Sequence, residues 1–269
     1  MPAGGAAMSR IRRILASTRA GWHSFLRRRT AVFFTFFFPA IIVVIFGLLV
    51  ETQPTDGGLF TEPAGWYVAG YLAVVVLFTP LSRVGSEVAR HRTGSQFEKL
   101  ATTPLQRWEW LLAQTIVNTA IIGLASILLL GLLFGATSAT LAISAELLLV
   151  IPFVAVGVAL FCAVGAILGS LVDSQDGVIA ASNGIAIPLL FLSEAFVQQE
   201  LLPGWLPLEL SPLTYFTRGV RAVTYTHTAD GALILARFPE PTPVLDLLVL
   251  SGFAVVAFVV SARLIPRTD

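Results

Sequence analysis

Charge is scarce in this chain: Asp, Glu, Lys and Arg make up 12% of its 269 residues, against about 25% in ordinary soluble domains. With 56% of the residues hydrophobic, the chain carries more apolar surface than one of this length can bury, so that surface faces lipid. Lysine is nearly missing. Lys99, the single one, stands in Phe-Glu-Lys-Leu and not in a GxxxxGK[ST] loop, so the chain has no P-loop to cradle ATP phosphates. Cysteine is reduced to Cys162, which excludes an intrachain disulfide and any CxxC or Cys/His zinc pattern. Neither HExxH nor GxSxG occurs, and His23, His91 and His227 lie outside the apolar runs, so no intramembrane hydrolase is legible.

Six apolar runs remain, at about 31–50, 66–82, 108–135, 147–171, 177–197 and 244–263. Each is near the ~20 residues that cross ~30 Å of hydrocarbon; the second is short and extends toward Val84. Asp173 and Asp176 separate the fourth and fifth runs, because one helix over 147–197 would overrun any bilayer. The first run starts near Ala31 behind a long basic segment and is followed by Glu51-Thr-Gln-Pro without a small-residue cleavage site. It is therefore expected to stay as an anchor and not to be removed as a signal peptide.

The positions of the charges give an orientation. Of the 17 basic residues, 14 lie in segment 1–30, loop 83–107 and the C-terminal tail, while loop 51–65 carries only Glu51, Asp56 and Glu62. The positive-inside rule then places the N-terminus, loop 83–107 and the C-terminus in the cytoplasm. An even number of spans agrees with both ends lying on one side.

The remaining segments have patterns of their own. In 1–30, Ile11, Ile14, Leu15, Thr18, Trp22, Phe25 and Leu26 recur at helical spacing, with arginines on the other face. This is the pattern of a helix lying in the headgroup plane; a helical positive-inside flank is the plainer reading. In loop 83–107, Ser95-Gln-Phe-Glu98 and Thr103-Pro-Leu-Gln106 both fit capping boxes. They predict a short helix over 96–101, a break, and the start of the third span. Phe97 and Leu100 share one face of that helix, which suits either docking into a groove on a partner or a capped turn that orients the span. Outside, Pro203, Pro207 and Pro212 punctuate 198–243, and Ser211-Pro212 reads as an N-cap with its favoured first residue. The stretch from Leu213 to Tyr225 is too short to span and carries Arg218 and Arg221 on one face, as a re-entrant or interfacial helix would.

Within the spans, Glu109 lies at the inner start of the third and Glu194 near the outer end of the fifth. Ion-coupled carriers need titratable groups at depth, so their scarcity weighs against that class. Asn118 and Asn183 are the prominent buried polar candidates; each suits a helix–helix hydrogen bond or a place on a translocation path. A membrane domain with no energy source of its own and a cytoplasmic docking feature points to a partner that supplies energy.

From Glu87 to Glu109 the sequence resembles the ABC-2 family of transporter permeases. The family's acidic residue, basic stretch, Gly-Thr-x-Glu-x-Leu, Thr-Pro and span-opening Glu are matched by Gly94, Glu98, Leu100, Thr103, Pro104 and Glu109, with Ser95 in place of Thr. A second match runs through Phe191-Leu-Ser-Glu-Ala-Phe, Leu202-Pro-Gly-Trp-Leu, Ser211-Pro-Leu-Thr-Tyr215 and Arg218-Gly-Val-Arg221, with Glu194 where a small Gly is usual. The resemblance covers nearly the whole chain.

The resemblance implies an all-α membrane protein: an interfacial helix over 1–30, then a six-helix domain over 31–269. It implies a coupling helix at about 95–103, contacting an ATPase subunit through Gly94, Ser95, Phe97, Glu98, Leu100, Thr103 and Pro104. An outer hairpin at about 198–226, with Pro212, Tyr215, Arg218 and Arg221, would close the extracellular mouth. The expected complex is a homo- or heterodimer of permeases with two ATP-binding subunits in a prokaryotic plasma membrane. ATP and Mg would be bound by those subunits and no cofactor, metal or nucleic acid by this chain. Competing classes are an ion-coupled carrier or channel, and a membrane enzyme or assembly factor.

Overall fold

The computed structural model of the protein describes residues 3–45, 64–136, 145–229, 232–235 and 242–265. Nine helices occur among them: α1 (Ala3–Arg27), α2 (Arg29–Val44), α3 (Val68–Thr93), α4 (Gln96–Ala101), α5 (Arg107–Ala136), α6 (Val150–Leu171), α7 (Gln175–Phe191), α8 (Pro212–Thr224) and α9 (Pro243–Leu264). Four stretches are long and apolar enough to cross a membrane: Gly65–Thr93, Arg107–Leu133, Glu146–Leu171 and Pro243–Leu264. They coincide with the second, third, fourth and sixth apolar runs. The expected first span is described only as far as Ile45, and nearly all of loop 51–65 lies outside the described residues. The fifth run forms α7, whose 17 residues reach about 26 Å at 1.5 Å per residue. The described residues thus contain four spans by length, not six.

α3 is the axis of the bundle. It packs against α5, α6, α7 and α8, and its residues from Val68 to Leu77 are all buried. The crossing with α6 is close because both helices present glycine there. A methyl group on Gly165 would collide with Leu81 O, and one on Gly169 with Gly85 O. Gly165-x-x-x-Gly169 is the spacing by which membrane helices bring backbones together, where van der Waals packing replaces the hydrophobic drive available in water. At the end of α6 the Arg92 guanidinium donates to Gly169 O and Val172 O, both at 3.2 Å, satisfying carbonyls that have no partner within the helix. Ser174 then caps α7, its hydroxyl accepting from Gly177 N at 3.0 Å.

The amphipathic face of α1 divides into two lines. Phe25 is buried with Val117 and Ile121 of α5, and Trp22 packs beside them. Ile11, Leu15 and Leu26 are exposed. Exposed apolar side chains also cover α2 (Phe33, Phe34, Phe37), α5 (Leu124, Ile127) and α9 (Val255, Val256, Val259), a surface fit for lipid or protein and not for water.

One element departs from the all-helical expectation. Thr226–Ala229 pairs antiparallel with Ala232–Leu235. The signal was present in the sequence, since the residues between the strands are Asp230 and Gly231, a pair strongly favoured in two-residue hairpins.

Candidate functional site

At the end of α3 the chain reverses through Gly94 and Ser95 into α4. Ser95 adopts the left-handed conformation, φ 50°, and its side chain caps nothing. The first expected capping box is therefore not formed: Ser95 lies in the left-handed region and not in the extended conformation that a cap residue usually adopts. The second expectation is displaced. Thr103 donates back to Leu100 O at 2.7 Å, and α5 begins only at Arg107. The cap residue is Gln106, whose backbone N–H donates to Glu109 Oε2 at 2.9 Å, the reach-back half of a capping box.

Phe97 and Leu100 do share a face of α4, but it faces the protein's own bundle. Both are partly buried against the main core. The Phe97 ring stands edge-on to His91 (5.3 Å) and Trp110 (5.6 Å), a geometry worth about 0.5–1.5 kcal/mol per pair beyond area burial. The outward residues are Gly94, Ser95, Gln96, Glu98, Lys99, Thr102, Thr103 and Pro104, all exposed. The expected contact residues thus lie together around α4, with Phe97 and Leu100 packed on the bundle and the others exposed.

Glu109 does more than cap. Arg13 of α1 grips it with two hydrogen bonds, Nε to Oε2 at 3.0 Å and Nη2 to Oε1 at 2.6 Å. The hydrogen bond to Glu109 is the main cause that pushes the Arg13 pKa up. α1, the start of α5 and, through the Phe97–Trp110 contact, α4 are thereby tied into one unit. Sequence reasoning marked Glu109 and missed Arg13. The usable signal was a carboxylate at the head of an apolar span opposite seven arginines with no acid among them.

At the other end of α3 a second polar cluster is enclosed. Glu194, just after α7, has φ 57° and accepts from Arg218 Nε at 3.1 Å and from Arg218 Nη2. Its carbonyl accepts from Arg221 Nη2, and Arg221 Nε donates to Trp66 O at 3.4 Å. The Arg221 guanidinium lies 3.7 Å from the Trp66 ring centroid and is 3% exposed, a desolvated cation–π contact worth about 2 kcal/mol. Thr217 adds a hydrogen bond to Ser193 O at 2.7 Å. The hydrogen bond that Arg218 donates to Glu194 is the main cause that pushes the Arg218 pKa up, against the opposing effect of burial.

Pro212 opens α8 as expected, with Ser211 in the extended cap conformation, although its hydroxyl makes no cap bond. Leu213, Phe216 and Val220 are buried, so α8 inserts among α3, α6 and α9 instead of lying on the surface. Tyr215 donates to Glu209 O at 3.0 Å and lies beside Phe253 of α9. Asn118 and Asn183 do not share an environment: Asn118 is fully buried on α5 and donates to Gln114 O at 2.8 Å, whereas Asn183 is exposed on α7.

No curated protein matches the chain. Residues 12–225 match the ABC-2 type transporter family, a stretch that contains most of α1, both polar clusters and α4. The span helices, the α4 stub and this match lead to one conclusion: the chain belongs to the ABC-2 type transporter family and is a membrane permease.

Proposed function

We propose that the chain is the membrane subunit of an ATP-driven exporter whose ATP and Mg are bound by a separate subunit. Two permeases, identical or not, would sit over two copies of that subunit in a prokaryotic plasma membrane. Both termini and α4 would lie in the cytoplasm, with α1 in the headgroup plane. The first and fifth apolar runs would complete six spans, and the segment from 198 to 226 would close the outer mouth.

The observation that carries this reading is α4: six residues held by Phe97 and Leu100, with a polar surface turned outward at the end of α3. A force on that surface reaches α3 and α5 directly, because His91 and Trp110 pack on Phe97. α3 is 26 residues long, about 39 Å at 1.5 Å per residue, and the outer cluster is fixed to its far end through Trp66. Closure of the ATPase subunits would therefore rock α3 and strain the Glu194–Arg218–Arg221 clamp, opening the path outward. Asn118 and Asn183 remain candidates for that path, from two different helices.

The test is purification from native membrane. A co-purifying P-loop ATPase whose turnover depends on this chain is the expected result. A folded chain that purifies alone and dissipates an ion gradient would instead make it a carrier or channel.

A further inference from the structure

A cavity of about 290 Å³ lies between the α1–α2 elbow, α3 and the start of α7, lined by Arg28, Arg83, Ser86, Glu87, Arg90 and Gln175 among others. Its size is near the lower end of small-ligand pockets, about 300–1,000 Å³, so it suits a headgroup and not a whole lipid. The charge balance favours an anion. Glu87 is already engaged, 3.5 Å from Arg90 Nη2 and accepting from Gln114 Nε2 at 3.3 Å. Among the described residues, neither Arg28 nor Arg83 forms an ion pair.

Two further observations show that these donors are held in place yet unanswered. Arg83 Nη1 and Arg90 Nε are buried without a hydrogen-bond partner, and a buried polar atom left unmatched costs about 1–3 kcal/mol. The Arg83 guanidinium is fixed 4.6 Å over the Phe25 ring, which keeps it in the cavity wall. Phe25 in turn is clamped by Val117 and Ile121.

We propose that this cavity binds a phosphate-bearing anion, gripped by Arg28, Arg83 and Arg90 with Ser86 and Gln175 as neutral donors. Basic pockets between membrane helices on the cytoplasmic side suit the headgroups of anionic lipids, and guanidinium forks match phosphate oxygens two at a time. The leaflet rests on the topology proposed above; the site itself does not. Bound phosphate would join the α1–α2 elbow to α3 and α7 across this cavity.

The experiment uses the full chain without any ATPase subunit, so its failure leaves the exporter reading untouched, and failure of that reading leaves this one standing. The purified protein is placed in phosphatidylcholine nanodiscs with and without phosphatidylglycerol, and separately in detergent with inorganic phosphate. Unfolding temperature and retained lipid are measured for each. Stabilisation by phosphatidylglycerol identifies a lipid headgroup; stabilisation by inorganic phosphate alone identifies a soluble anion. Arg83→Gln should weaken the effect about tenfold, as expected when one charge-assisted hydrogen bond is lost. Arg28→Gln, at an exposed position that leaves the core intact, should weaken it likewise, whereas Arg19→Gln on the outer face of α1 should not. No stabilisation by either ligand, or equal loss in Arg19→Gln and Arg28→Gln, would overturn the proposal.

Discussion

Glu194 holds the Arg218 guanidinium through both carboxylate oxygens from a left-handed backbone position, φ 57°. A side chain there costs about 1–2 kcal/mol that glycine avoids, which explains why the related pattern has glycine at this point. The bidentate pair supplies the offset, since charge-assisted fork contacts are roughly twice as strong as neutral hydrogen bonds.

Removal of the pair should therefore depend on what replaces Glu194. Glu194→Ala keeps the unfavourable backbone and loses the pair, so it should be less stable than Glu194→Gly by about 1 kcal/mol. In a cycle of Glu194→Gln and Arg218→Met, the coupling should reach about 1–3 kcal/mol. Equilibrium unfolding in mixed micelles measures both; single effects that simply add would mean the contact contributes nothing.

Arg221 should not tolerate lysine. Its planar head stacks on Trp66 while donating to two carbonyls, a combination that an ammonium point charge does not reproduce. Arg221→Lys should lose about 2 kcal/mol, and Arg221→Met more, because the Glu194 carbonyl is then left unpaired as well. Thermal inactivation in detergent ranks the three proteins, and a lysine variant as stable as the parent would contradict the stacking argument.

Glycine substitutions should have opposite signs at different helices. Gly169→Ala places a methyl group against the α3 backbone at Gly85 and should cost about 1–3 kcal/mol or more. Gly123 on α5 has no neighbour within 4 Å of where its Cβ would stand, so Gly123→Ala should stabilise by about 0.5–1 kcal/mol through helix propensity. The recovery of monodisperse protein after heating reads out both.

α4 separates docking from folding. The double exchange Glu98→Lys with Lys99→Glu alters only exposed positions, so it should reduce retention of the proposed ATPase subunit and leave the unfolding temperature unchanged. Phe97→Asp should destabilise the chain itself by about 2 kcal/mol, as for a half-buried aromatic, and so lower its unfolding temperature. If Phe97→Asp leaves stability intact and only loosens the ATPase subunit, the ring does not hold the stub.

What was legible in the sequence was local, and what was not was distant. Pro212 as the first residue of α8 and the break at Asp173 follow from backbone chemistry within a few residues, and both were read correctly. That Phe97 and Leu100 share a face also follows from periodicity; which neighbour they face does not, because a helical repeat defines a stripe and says nothing about what lies opposite. Arg13 and Glu109 are 96 residues apart, and Glu194 and Arg218 are 24 apart, so neither pair leaves a spacing signature. Ser95 was misread for a related reason: Ser-x-x-Glu is the pattern of a cap, but the reversal imposed by α3 and α5 decided the backbone. The Gly165-x-x-x-Gly169 signal was available and went unread, and so was the Asp-Gly pair of the hairpin.

The pairing of Arg218 with Glu194 has an electrical consequence. An unpaired arginine carried through the membrane field does work of about 2.3 kcal/mol per 100 mV. Paired with Glu194 it forms a neutral unit only while α8 and the end of α7 move together, because Arg218 sits on α8 and Glu194 just after α7. A movement that keeps the pair closed therefore takes no work from a membrane potential through it, whereas one that parts α8 from the end of α7 separates the two charges and does.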